Sequence, residues 1–468
     1  MIDNISHATN RKRRFAPGPN GHWLWGSLPD YQQDPVRTCI EAVRQYGETV
    51  RFRFGPLHAH LISHPDGVKH ILQDNHENYC NGFIRDWYFK PLFGNGLLTS
   101  EGEFWSRQRR LIQPAFHRKN LAAFDMITTH YTAEMLNRWE TYAESGEPFD
   151  VASEMATLTI TIAGKALFGT DLAGDAASIK EIVAAAQQHI TYRMTHLFAP
   201  PEFVPTPRNF RLKRILRRLD AIIHRLIQER RGQPGEREDL LSLLLAARDE
   251  ETNEGMNDRQ LRDETLVLLL AGHETTTYAL SWTWYLLAQH PLPARRLRAE
   301  LAEVLGGRTP VQADLPCLKY TEQVLNEVLR LYPPTWAVSR SSIGPDQLCG
   351  YDIPAHSLII ISPYVTQRNP SFWKEPERFD PDRFASGHAE EHHRYSFFPF
   401  GGGPRHCIGS GMAMMEAQLI VAMVAQKFEL RLVPEHPVIF SPQITLRAKN
   451  GILVTCHPVE ELHVETSA

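Results

Sequence analysis

The residues with the clearest capacity for chemistry form one run, Phe400-Gly401-Gly402-Gly403-Pro404-Arg405-His406-Cys407-Ile408-Gly409. A single cysteine closes a glycine-rich loop and precedes an apolar stretch, Gly411 to Phe428, that reads as a helix. Glycine lets such a loop wrap a flat cofactor closely, because it has no side chain to hold the backbone away and tolerates positive φ. A helix starting just beyond the sulfur turns its free N–H groups and positive dipole end towards it, which favours thiolate over thiol. A shielded thiolate of this kind is a strong ligand for a cofactor metal.

Three further patterns could serve that centre. Trp105 and Arg109 stand four residues apart, on one face of a helical stretch, where both can approach the same object. The longest helical pattern, from about Asp258 to His290, is interrupted by Ala271-Gly272-His273-Glu274-Thr275-Thr276-Thr277. Glycine and three threonines are poor helix material, and His273 and Glu274 rule out a membrane span. Glu327 and Arg330, three apart, form a helical ion pair that would be of small energetic weight on a surface.

Taken with their order, these motifs resemble those of the cytochromes P450. Phe400-x-x-Gly403-x-Arg405-x-Cys407-x-Gly409 is similar to the family's haem-binding signature, and Ala271, Gly272, Glu274, Thr275 and Thr276 are similar to its oxygen-side helix motif. Glu327-x-x-Arg330 and Pro376-Glu377-Arg378-Phe379 resemble two later motifs. The resemblance implies haem b (iron protoporphyrin IX) with Cys407 as axial ligand, in a loop that includes Phe400, Gly401 and Gly409. It implies that Trp105, Arg109, Arg340 and Arg405 hold the propionates, since buried carboxylates need hydrogen-bonded cations. Ala271 would leave room for a diatomic ligand, with Thr275 and Glu274 delivering protons. Glu327, Arg330 and Arg378 would form a structural triad that fixes the cysteine loop. Phe83, Trp87, Leu98, Trp336 and Val338 would face the substrate.

The implied fold is mainly α with small β-sheets (α+β), a single large helical domain with a β-rich lobe. Its expected limits are a disordered lead at 1–15, a catalytic domain at 16–458 and a tail at 459–468. The implied reaction is insertion of one oxygen atom from O2 into a lipophilic molecule such as a fatty acid, terpenoid or polyketide. Electrons would come from a separate ferredoxin or flavodoxin with its reductase, docking on a basic patch of Arg107, Arg110, Arg118, Lys119 and His406. The alternatives are a hydrogen-peroxide-driven peroxygenase, disfavoured by the Glu274-Thr275 pair, and a non-catalytic haem-binding protein.

Composition agrees with an ordinary globular chain: of 468 residues, 42% are hydrophobic and 22% charged. A net charge of −4 gives no nucleic-acid footprint. Six scattered cysteines without a Cys-x-x-Cys pair fit a reducing compartment and neither a disulfide framework nor a zinc site. The polar, basic start, Met1 to Arg14, lacks the apolar core of a signal peptide or membrane anchor, so a cytoplasmic monomer is expected.

The elements that must position these groups are also visible. Helical spacing runs over Pro35 to Tyr46, and alternation over Thr49 to Phe54 with Ala59 to Ile62 suggests a hairpin across Gly55-Pro56. Tyr79 to Thr99 loses periodicity while keeping its aromatics, as a pocket roof would. Thr195 to Asn209 is a proline-rich break that the resemblance makes a lid. Cys349 to Pro354 and Ser357 to Pro363 read as a two-stranded ribbon, and Ser441 to Thr445 as a terminal β segment reaching the pocket.

Overall fold

The computed structural model describes residues 13–117, 121–169, 188–193, 203–232, 239–386 and 393–459, with a few single positions between 181 and 200. Residues 1–12 of the expected lead, 460–468 of the expected tail, Arg118 and Lys119, and most of the proline-rich stretch up to residue 202 lie outside the described residues.

Helix α1 (Pro35–Tyr46) begins where Asp34 accepts the Arg37 N–H at 3.0 Å and Pro35 pre-sets the first φ. It buries Val36, Cys39 and Ala42 at steps of three, Cys39 and Ala42 against the hairpin of β1 (Thr49–Phe54) and β2 (Leu57–Ile62) and Val36 against Tyr364 and Leu446. The hairpin turns at Gly55, with φ near 59°, as the sequence suggests. Two short strands, β3 (Tyr79–Cys80) and β4 (Phe149–Asp150), enter separate sheets.

The remaining long helices are α2 (Gly102–Ile112), α3 (Leu121–Ser145), α4 (Val151–Phe168), α5 (Pro207–Arg231), α6 (Leu240–Ala246), α7 (Asp258–Gln289), α8 (Pro291–Leu305), α9 (Lys319–Leu331) and α10 (Ser410–Lys427). Among the described residues only α4 is long and apolar enough to cross a membrane, and most of it is buried as a core helix.

Helix α7 opens with a capping box in which Asn257 accepts the Gln260 N–H and Gln260 returns the bond. Its first half, Leu261 to Leu270, packs into a cluster with Phe168, Leu219 and Leu419. Its second half, Leu280 to Leu287, packs into another with Trp139, Leu325 and Val424. Helix α10 is buried from Met415 to Ala425 and joins the same two clusters. The helix bearing the threonines and the helix behind the cysteine are thus set in one continuous interior.

The β lobe corrects one expectation. Ser357 to Pro363 is no ribbon partner of Cys349 to Pro354. That ribbon consists of β6 (Asp346–Leu348) and β7 (Tyr351–Ile353), while β8 (Leu358–Ile361) lies inside a five-stranded sheet of order β1-β2-β8-β5-β3, with β5 spanning Val338–Ser342. Four consecutive apolar residues suit a strand covered on both faces, and β8 runs parallel to β2 and antiparallel to β5. A three-stranded sheet pairs β4 with β12 (Leu453–Pro458) and β9 (Phe428–Leu432), and β10 (Phe440–Pro442) pairs with β11 (Leu446–Ala448).

Candidate active site

The cysteine loop is built on close backbone approaches. Gly401 and Gly403 have φ near 72° and 63°, and a Cβ on Gly403 would lie 1.8 Å from the Leu72 carbonyl oxygen. Only glycine fits there. The Cys407 N–H donates to the Phe400 carbonyl at 3.0 Å and closes the loop, and α10 starts three residues later. The Cys407 side chain is exposed, yet burial of its surroundings pushes the thiol up. A side chain both accessible and crowded in this way suits a recess rather than an open surface. The Gly409 N–H and the Arg109 charge act in the opposite direction, the sense expected of groups at a helix start.

Across the same core, α7 presents Ala271 and Gly272 as exposed residues midway along an otherwise largely buried helix. Thr275 donates to the Ala271 carbonyl at 2.8 Å, and Glu274 accepts from the Thr445 hydroxyl in the turn between β10 and β11. His273 turns the other way, bonded to Thr159 and Thr277 inside the protein. Ile408, Trp105 and the first half of α7 belong to one hydrophobic cluster, which brings the three elements together.

The arginines divide in two. Arg109 donates to the His406 carbonyl at 2.8 Å and so braces the cysteine loop. Arg405 lies over the Trp105 ring, 4.4 Å from its centroid, and pairs with Glu101 at 2.6 Å. Arg85, absent from the sequence reading, also pairs with Glu101, at 2.8 Å. Arg340 lies close enough to Arg405 to be repelled by it. Burial first and Arg405 second push its guanidinium down to about 10. Arg405 and Arg85 thus share Glu101, Arg85 pairs with Asp86 as well at 2.9 Å, and Arg340 is buried beside Arg405. Three cations against two carboxylates leave positive charge that suits a haem propionate, as the glycine loop suits a flat ring. The pairing of Arg85 with Glu101 had no local signal, because a surface-type spacing conceals a contact set by the roof loop.

The structural triad is corrected in one member. Arg330 grips Glu327 with two bonds of 2.6 and 2.8 Å, both side chains fully buried. The third guanidinium is that of Arg383, 3.4 Å from Glu327. Arg378 turns out to solvent and pairs with Glu375, and only its backbone carbonyl accepts from Arg330. The backbone carbonyl of Arg378 faces Arg330, so its side chain points away.

Of the pocket candidates, Trp336 is corrected as well. It is 6% exposed, packs with Val36, Tyr364 and Leu446, and donates its indole N–H to the Gln443 carbonyl at 2.8 Å. A buried indole needs that acceptor, which draws the ring into the core. Val338 is half-buried on β5, while Phe83, Leu98 and Trp87, the last 57% exposed, lie in the roof segment. The basic patch is partly neutralised: Arg110 pairs with Asp249 and Glu251, and Arg107 bonds the Glu254 and Gly255 carbonyls.

This arrangement defines a haem-thiolate type of oxidoreductase, and comparison with known proteins agrees. The family profile described as Cytochrome P450 matches residues 16–455, and the chain belongs to that family of haem b monooxygenases. It is 40% identical to "Cyclooctatin synthase" of Streptomyces melanosporofaciens, over 94% of this chain and 95% of the relative. It is 37% identical to "Cyclooctat-9-en-7-ol 5-monooxygenase" of the same organism, over 84% and 85%. Among solved structures, the cytochrome P450DA heme domain superposes with a TM-score of 0.87 at 25% identity, covering 96% of this chain and 99% of that one.

Proposed function

We propose that this chain oxygenates a terpenoid-like lipophilic substrate by hydroxylation or epoxidation, with electrons from a separate ferredoxin or flavodoxin and its reductase. The observation that carries the reading is the accessible yet crowded Cys407 side chain, closing a glycine loop that only glycine fits, with the Gly409 N–H and Arg109 beside it. The haem-thiolate centre supplies oxygen activation when bound. Everything else falls to the chain.

Cys407 would hold the iron, as a thiolate. Arg340 and Arg405, with Arg85 beside them, would balance the propionates, and Trp105 keeps the Arg405 guanidinium in place. Thr275 holds a proton on Oγ1. Glu274, tied to Thr445, is placed to replenish it from the solvent side. The Glu327–Arg330–Arg383 cluster holds the chain that leads into the cysteine loop. The terpenoid class is supported by the names of the bacterial relatives and by the aromatic roof segment.

Two measurements test this. The reduced, carbon monoxide-treated protein should show a strongly red-shifted Soret band that Cys407→His abolishes. Product should form from candidate terpenoids with NAD(P)H and a ferredoxin system. Product from hydrogen peroxide alone, with none from the reductase system, would instead make the chain a peroxygenase.

A further inference from the structure

Helix α5 carries nine Lys and Arg residues against two acids, in a chain whose net charge is −4. One face packs inward through Leu212, Ile215, Leu219, Ile223 and Leu226. The charges on the other face are not alike along its length. Towards the C-terminal end they are neutralised: Arg225 faces Glu229, Arg230 pairs with Asp239 at 3.0 Å, and Arg231 pairs with Asp258 at 2.6 Å. Asp220 is taken by Arg262 of α7.

In the N-terminal half, Arg211, Lys213, Arg214, Arg217 and Arg218 are all exposed, and none has an ion-pair partner among the described residues. Like charges three and four residues apart repel one another, and cations near a helix N-terminus oppose its dipole. The fold therefore maintains an unfavourable arrangement that no ion pair among the described residues relieves. At the same end two phenyl rings stand in solvent, Phe203 81% and Phe210 59% exposed.

We infer that this face docks on an anionic lipid surface. Long-chain cations without an ion pair among the described residues, spread over about two turns, match a plane of anionic headgroups, which attracts each of them and tolerates their mobility. Phe203 and Phe210 supply the apolar contact that a basic interfacial helix needs and that an aqueous polyanion would leave wet. The contact is peripheral and reversible, distinct from a membrane anchor, and it would hold the enzyme where lipophilic molecules are concentrated. It depends on neither Cys407 nor the bound haem.

Flotation of the haem-loaded full chain with vesicles tests it. The protein should bind phosphatidylcholine vesicles containing phosphatidylglycerol at low salt, ignore pure phosphatidylcholine, and be released at high salt as screening shortens the reach of the charges. The triple variant Arg211→Glu, Arg214→Glu, Arg218→Glu should lose about tenfold or more in binding while keeping the wild-type absorption spectrum. The milder set Arg211→Gln, Arg214→Gln, Arg218→Gln serves if charge reversal harms folding. Phe210→Ser should weaken binding with the salt dependence unchanged. The inference is overturned if the wild type ignores phosphatidylglycerol, if the variants bind as well as it does, or if the helix retains DNA or an acidic protein and no vesicle.

Discussion

At the scale of single residues, the Glu327 cluster gives the sharpest contrast. Arg383 stands 3.4 Å from a carboxylate with no exposure, and Arg378 lies in solvent beside Glu375. Arg383→Ala removes a cation from a buried acid and should cost on the order of 3 kcal/mol, with visible loss of haem content. Arg378→Ala should stay within about 0.5 kcal/mol of wild type and keep its haem. Equal effects from the two, measured by denaturant midpoint and haem absorbance, would refute the assignment. The sequence offers two Pro-x-Arg-Phe runs five residues apart, Pro376-Glu377-Arg378-Phe379 and Pro381-Asp382-Arg383-Phe384, and both suit a cation that caps Glu327. What separates them is the direction of the chain: the Arg378 carbonyl already occupies the space beside Arg330. The glycines of the cysteine loop were legible because the backbone conformation they adopt is tied to residue type. Trp336 was not, because an aromatic ring reads alike in a core and in a pocket.

At the scale of elements, α7 does more than carry Thr275. Near its start, Asp263 accepts the Asn95 N–H at 2.7 Å and Glu264 accepts the Leu97 N–H at 2.8 Å, so two carboxylates hold the roof segment. Glu264 also accepts from Gln108 of α2 at 3.0 Å, which links roof, haem-side helix and α7. Glu264→Ala should leave a buried amide N–H and a buried Gln108 without their acceptor, at a cost of about 1–3 kcal/mol. The loss should fall on the roof first: faster proteolysis between residues 94 and 100 and weaker binding of a type I ligand, with the haem band unchanged. Protection of that stretch equal to wild type would count against the latch. The long helix itself was readable from its period and its stop at Pro291. Its grip on residues 94–97 was not, since a hydrogen bond spanning more than 160 residues leaves no pattern in sequence. The same limit misplaced β8, whose partners β2 and β5 lie on either side of it in the sheet rather than next to it in the chain.

At the scale of the whole molecule, three buried titratable groups set how stability should change with pH. Burial pushes Glu264 up to about 7 and Glu416, on the helix behind the cysteine loop, up to about 8. Both carboxyls hold a proton more tightly folded than unfolded, so stability falls as pH rises from the usual carboxylate range to about 8 and then levels off. Burial pushes His60 down to about 4, and this group works the other way, adding stability as pH rises from about 4 to its ordinary range near 6.5. The contributions oppose one another below about 6.5, and only the glutamates act between there and 8. A decline across that upper window is therefore expected in the denaturant midpoint of the haem-loaded protein. Glu416→Gln keeps the shape of the side chain and cannot ionise. It should match wild type near pH 5 and exceed it above pH 8 by more than about 1 kcal/mol, since each unit of displaced pKa is worth about 1.4 kcal/mol before relaxation. Parallel curves for the two proteins across that range would show that Glu416 reaches water or a partner when charged, and that burial alone does not govern it.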